Sequence, residues 1–229
     1  MSRLSRIIME GMPHHVIQRG NRRQKVFFCD EDKRKYLTLL MKYCKTYRVA
    51  IWAYCLMDNH VHLVLVPSDR NGLAKAVGQT HWGYTLAINK SKDWRGYLWQ
   101  GRFKSFVLHD SYLRAVIRYV ETNPVRANIT AKAELYTWSS AQAHVLGRTD
   151  TLLSHFYLLD EIKKWSEYLN VNENTENLNL LRKHQSTGRP LGDPSFLQHI
   201  SDKLGIDLIL QKPGPKKGIK CEGIKCVSP

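Results

Sequence analysis

The stretch Asp58-Asn59-His60-Val61-His62-Leu63-Val64-Leu65-Val66-Pro67 constrains this chain more than any other. Its β-branched and aliphatic residues favour a strand, and a strand puts residues i and i+2 on one face, so the His60 and His62 imidazoles project together. Paired imidazoles on a rigid strand make half of a metal site, although a lone His-x-His is more often two packed core histidines. A second stretch, Tyr119-Val120-Glu121-Thr122-Asn123, favours the metal, because on a helix Tyr119 and Asn123 lie one turn apart and face the same way.

The neighbouring elements follow from periodicity and turn chemistry. Val49–Met57 reads as a buried strand, and with only Asp58-Asn59 before the histidine strand the two should pair antiparallel. His14–Arg19 reads as a strand ending at the turn pair Gly20-Asn21, with 25–28 as its return. The connecting loop holds Arg19, Arg22, Arg23 and Lys25, either a solvated turn or a phosphate contact. Asp30 is an expected N-cap for a helix whose stripe Tyr36, Leu40, Tyr43, Tyr47 faces the core, and helical spacing returns over 73–88. Over 94–104, aromatics alternate with Arg and Lys; this pattern suits single-stranded nucleic acid, since bases stack on rings while cations hold phosphates, but it also suits an irregular loop pinned by its rings.

A short strand over 105–109 then leads to Asp110, expected to cap a helix with an apolar face of Leu113, Val116, Ile117 and Val120. Tyr112, Tyr119 and Asn123 fall on the adjoining face, and Pro124 should close the helix at Asn123. The order is α+β: an antiparallel sheet with helices on its face. We expect a main domain over 1–150 and a C-terminal helical segment with a basic tail over 151–229. Asn- and Glu-rich composition near 170–179 reads as a linker or loose helix pair, whereas Asp193, Pro194 and Gly205 bracket a short helix. The stretch 211–218 should be disordered without a ligand.

Charge narrows the partner. Lys and Arg number 35 against 20 Asp and Glu, a formal +15, which favours a polyanion such as nucleic acid. Five scattered cysteines argue against a disulfide framework and for a reducing cytoplasm, and no apolar run reaches the ~20 residues of a membrane helix.

If the Tyr119 helix packs on the histidine strand, two imidazoles and the Asn123 amide oxygen could hold a divalent cation, and Tyr119 could attack a phosphodiester. The ordered set of Gln-Arg-Gly-Asn at 18–21, His-Val-His at 60–62, Leu-Trp-Gln-Gly-Arg-Phe-Lys-Ser at 98–105 and Arg-Tyr-Val-Glu-Thr-Asn-Pro-Val-Arg-Ala at 118–127 resembles the REP-associated tyrosine transposases, within the single-tyrosine HUH superfamily. Thr-Gly-Arg-Pro-Leu-Gly at 187–192 is similar to their C-terminal tail. The resemblance implies a ferredoxin-like HUH fold, a Mg²⁺ or Mn²⁺ cofactor, and cleavage and rejoining of single-stranded DNA at palindromic hairpins through a phosphotyrosine. By position, His60 and His62 match the metal histidines and Tyr119 the nucleophile; Asn123, where the superfamily often has glutamine, is the remaining ligand. Tyr112, two turns earlier, is a rival nucleophile. A non-catalytic DNA- or RNA-binding protein on the same scaffold is the alternative from another class. Expected DNA contacts are Arg19, Asn21, Arg22, Arg23, Trp99, Arg102, Lys104, Arg126, Arg189, Lys216 and Lys217. The resemblance fixes neither a monomer nor a dimer.

Overall fold

The computed structural model describes residues 6–171 and 175–208. The elements run β1 (His14–Arg19), α1 (Asp30–Thr46), β2 (Val49–Met57), β3 (His60–Pro67), α2 (Gly72–Lys92), β4 (Lys104–Val107) and α3 (Asp110–Glu121), followed by the one-turn α4 (Asn123–Arg126). Five further helices complete the described residues: α5 (Ala141–Leu146), α6 (Leu158–Glu161), α7 (Trp165–Leu169), α8 (Thr175–Thr187) and α9 (Pro194–Leu204). The sheet order is β2-β3-β1-β4, with every neighbouring pair antiparallel. This is the expected α+β, ferredoxin-like arrangement, with helices on both faces of the sheet rather than one.

Alternation along β3 explains the layering. Val61, Leu63 and Leu65 point to one face and pack with Tyr36, Leu40, Leu73, Val77 and Tyr84 of α1 and α2. His60, His62 and Val64 therefore take the other face, where Val64 joins Phe106, Leu113, Val116 and Val120 under α3. As a central strand buried on both sides, β3 carries several fully buried aliphatics, each worth about 1.5–3 kcal/mol. In β2 the register slips between Ile51 and Ala53, a bulge that frees Trp52 to stack on Phe156 at 5.0 Å.

Residues 25–28 do not form the return strand. After β1 the chain makes a 3₁₀ turn at Asn21–Arg23, and the Val26 and Phe27 amides donate to the Asp58 carbonyl at the β2–β3 turn. Gly20 is required there: a Cβ would lie 2.3 Å from the Gln24 carbonyl oxygen. The caps of α1 and α3 sit one residue before those expected, at Cys29 and His109, with Asp30 and Asp110 as first helical residues. Asp32 Oδ2 accepts from the Phe28 and Cys29 amides at the start of α1. Nor does Asn123 end α3; the helix breaks at Thr122 and resumes as α4. Asp193 does cap α9, accepting from the Phe196 amide at 2.8 Å.

The residues after 150 are bonded into the same core. Glu121, fully buried at the end of α3, accepts from Ser140 Oγ, from His144 Nδ1 on α5 and from Trp165 Nε1 on α7, at 2.5, 2.6 and 2.7 Å. Leu181 and Leu191 join the core cluster under α3, and the Leu191 amide donates to Val107 of β4. Among the described residues no helix is long and apolar enough to cross a membrane. The stretch 211–218, and with it Lys216 and Lys217, lies outside the described residues.

Candidate active site

A pocket of about 710 Å³ opens on the α3 face of the sheet. All four strands and the helices α3, α4 and α8 contribute to it. β3 supplies His60 and His62, β1 supplies Ile17 and Arg19, β4 supplies Lys104, and Tyr119, Asn123 and Arg126 come from α3 and α4. Arg23, Gln100 and Arg102 reach in from loops.

The His60 and His62 rings meet edge to face at 5.0 Å, and Tyr119 stands edge to face with His62 at 5.5 Å. Each imidazole has its Nδ1 engaged. His60 Nδ1 faces Asn59 Oδ1 at 2.6 Å, and since that oxygen only accepts, His60 carries its proton on Nδ1 and keeps the Nε2 lone pair. His62 Nδ1 faces His15 Nε2 at 3.0 Å; when His62 donates, its Nε2 lone pair is likewise left over. Burial, then the positive Arg19, pushes the His60 pKa down to about 4. His62 is driven well below the ordinary histidine range by burial and by its histidine and arginine neighbours. Both rings are thus neutral at pH 7, the state a metal requires.

Asn123 donates from Nδ2 to the Tyr119 carbonyl at 3.1 Å and keeps its Oδ1. Arg126 lies 4.1 Å over the Tyr119 ring and also donates to the Tyr119 carbonyl, so the one-turn α4 clamps the tyrosine from below. Among the described residues no three His, Cys, Asp or Glu side chains cluster to hold a metal. The residues with lone pairs left over in the pocket are the two imidazoles and the Asn123 amide, the types that could hold a labile divalent cation.

The sheet face thus gathers most residues expected from sequence. Arg19, Arg23, Arg102, Lys104 and Arg126 line the pocket, while Asn21 and Arg22 line a separate hollow with Trp94 and Tyr97. Trp99 is different: 6% exposed, it packs among Phe27, Tyr36, Tyr84 and His81, so it is a core residue rather than a free stacking platform. Arg189 is outside the pocket and donates from Nη1 to the Leu208 carbonyl at 3.1 Å. Tyr112 packs with the core under α3 and does not reach the pocket lining.

Sequence reasoning passed over His15, on the strand beside β3, and Arg182, Gln185 and Ser186 of α8, which close the pocket from the far end of the chain. His15 had a signal, its place on the same face as Ile17 in β1. The α8 residues had none, because only the tertiary fold brings them near β3.

An imidazole pair lies beside a tyrosine-bearing helix, in a pocket walled by arginines, an arrangement suited to a phosphate-bearing ligand. The family model for IS200-like transposases matches residues 9–123, half of the 229-residue chain, and the chain belongs to that family. A solved REP-associated tyrosine transposase bound to a REP hairpin shares the fold with a TM-score of 0.56 at 17% identity, over 68% of this chain and 93% of that one. A putative transposase from Deinococcus radiodurans aligns at 20% identity over 56% of this chain and 98% of its own, with a TM-score of 0.38. No curated protein matches the chain.

Proposed function

We propose that this transposase is a metal-dependent single-stranded DNA endonuclease and strand transferase, acting at or near palindromic hairpins through a phosphotyrosine on Tyr119. The observation that carries the reading is Tyr119 standing edge to face with His62 at 5.5 Å inside the arginine-lined pocket. A hairpin partner is supported by the REP hairpin bound to the similar transposase.

Arg19, Arg102, Lys104 and Arg182 neutralise phosphates and lay the strand across the sheet face. Arg126 fixes the Tyr119 ring, so the hydroxyl waits in one orientation for the scissile phosphate. The tyrosyl oxygen bonds to phosphorus, the P–O bond to one strand end breaks, and the proton lost by the phenol balances the one gained by the departing hydroxyl. Reversal by another strand end reseals the backbone without a nucleotide triphosphate, because the linkage keeps the bond energy. His60 Nε2, His62 Nε2 and Asn123 Oδ1 would hold Mg²⁺ or Mn²⁺, which would supply Lewis-acid stabilisation of the phosphate charge.

The test is incubation with an end-labelled hairpin and divalent metal, followed by denaturing electrophoresis. A protein-sized labelled band is the expected result. Cleaved DNA with no protein-bound fragment from either end label would indicate water as nucleophile, and intact DNA would indicate a binding protein.

A further inference from the structure

A second cleft, about 390 Å³, lies on the α2 side of the aromatic loop and meets the catalytic pocket at Gln18 and Arg102, which line both. Trp82 and Tyr97 line it with 60% and 89% of their surface exposed, large apolar rings that nothing in the described protein covers. Polar groups converge there too. Gln18 spends its amide N–H on the Gly101 carbonyl at 2.9 Å and keeps Oε1, and His81 uses Nε2 with the Tyr36 hydroxyl at 3.0 Å and keeps Nδ1.

We propose that this cleft receives an unpaired base of the DNA strand that crosses the catalytic pocket, stacked on Trp82 and Tyr97 with its edge toward Gln18 and His81. Rings with open faces and a few hydrogen-bonding groups suit a base, whose faces are apolar and whose edge is polar. Arg102, shared by the two cavities, would hold the phosphate between the cleaved position and the captured base. The inference rests on the single-strand reading of the catalytic pocket, and places part of the target discrimination outside that pocket.

The test uses full-length Tyr119→Phe protein and hairpin oligonucleotides with 2-aminopurine at each position of the single-stranded flank in turn. One position should be quenched on binding, and the quench should vanish in a Trp82→Ala/Tyr97→Ala background but survive in Leu86→Ala, an exposed control on the same helix. An abasic residue at that position should weaken binding about tenfold, the size of one lost stack, and have no further effect in the double variant. A quench that persists in the double variant, or no position distinct from its neighbours, overturns the proposal. Wild-type protein that forms the covalent adduct without a cleft-dependent quench retains the catalytic reading and rejects the cleft. A cleft-dependent quench without any adduct keeps the cleft and rejects the tyrosine chemistry.

Discussion

Tyr119 and Tyr112 share a helix two turns apart, and only Tyr119 lines the pocket, with Arg126 over its ring. Tyr119→Phe should therefore abolish a covalent adduct and leave hairpin affinity within about twofold, since one hydroxyl is removed and the ring contacts stay. Tyr112→Phe should keep the adduct; its loss there would transfer the nucleophile. His15 Nε2 lies 3.0 Å from His62 Nδ1, placed to orient that ring and, by accepting, to leave the His62 Nε2 lone pair for a metal. His15→Phe keeps the packing but removes the acceptor, and should weaken Mn²⁺ binding, read by calorimetry, by about 10–100-fold. Unchanged affinity would make the His15–His62 contact mere packing. Two buried histidines away from the catalytic pocket add to the acid sensitivity of the fold. Burial lowers the pKa of His14 to about 4 and of His81 to about 3. A folded-state value below the unfolded one means the stabilisation is full above about pH 6.5 and drains as pH falls toward 4 and 3, at about 1.4 kcal/mol per histidine per pH unit. Urea unfolding at pH 7.5 and 5.0 should show that loss, and His81→Asn should lessen it; equal stability at both pH values would contradict the burial argument.

Among the elements, α3 carries the proposed nucleophile and Glu121 anchors the helix. With Glu121→Ala, the Ser140, His144 and Trp165 donors lose their shared acceptor inside the core. The expected cost is about 3–5 kcal/mol in urea unfolding, and a loss below about 1 kcal/mol would deny the anchor. Trp99→Ala should likewise cost about 3–5 kcal/mol of stability through the cavity it leaves. Strands β2 and β3 were legible in the sequence because alternation and a two-residue turn are local signals, and their register alone puts both histidines on one face. The aromatic loop was misread at Trp99 because rings interleaved with cations look the same whether the ring faces solvent or a core built from α1 and α2. Residues 25–28 were misread as a strand because Val26 and Phe27 are apolar for another reason, burial beneath the β2–β3 turn. The α8 side of the pocket was illegible, since Arg182 and Gln185 reach it only through the packing of Leu181 and Leu191 on the sheet.

At the scale of the whole molecule, a +15 chain with arginines converging on one sheet face should bind any DNA with steep salt dependence. Preference for a hairpin over a scrambled strand must come from shape and base contacts, so its ratio, unlike raw affinity, is to be compared at fixed salt. Because the segment after 150 supplies Trp165 to the α3 anchor and Arg182 to the pocket, its removal should cost folding before it costs specificity. Peptide mass spectrometry of the trapped adduct reads directly whether Tyr119 joins the protein to DNA. Wild-type protein reacted with a hairpin in Mg²⁺ and then digested is expected to yield a single nucleotide-modified peptide, with the added mass on Tyr119 and none when the metal is chelated. Modification at Tyr112, or a cleaved hairpin with no modified tyrosine, would show that Tyr119 is not the nucleophile.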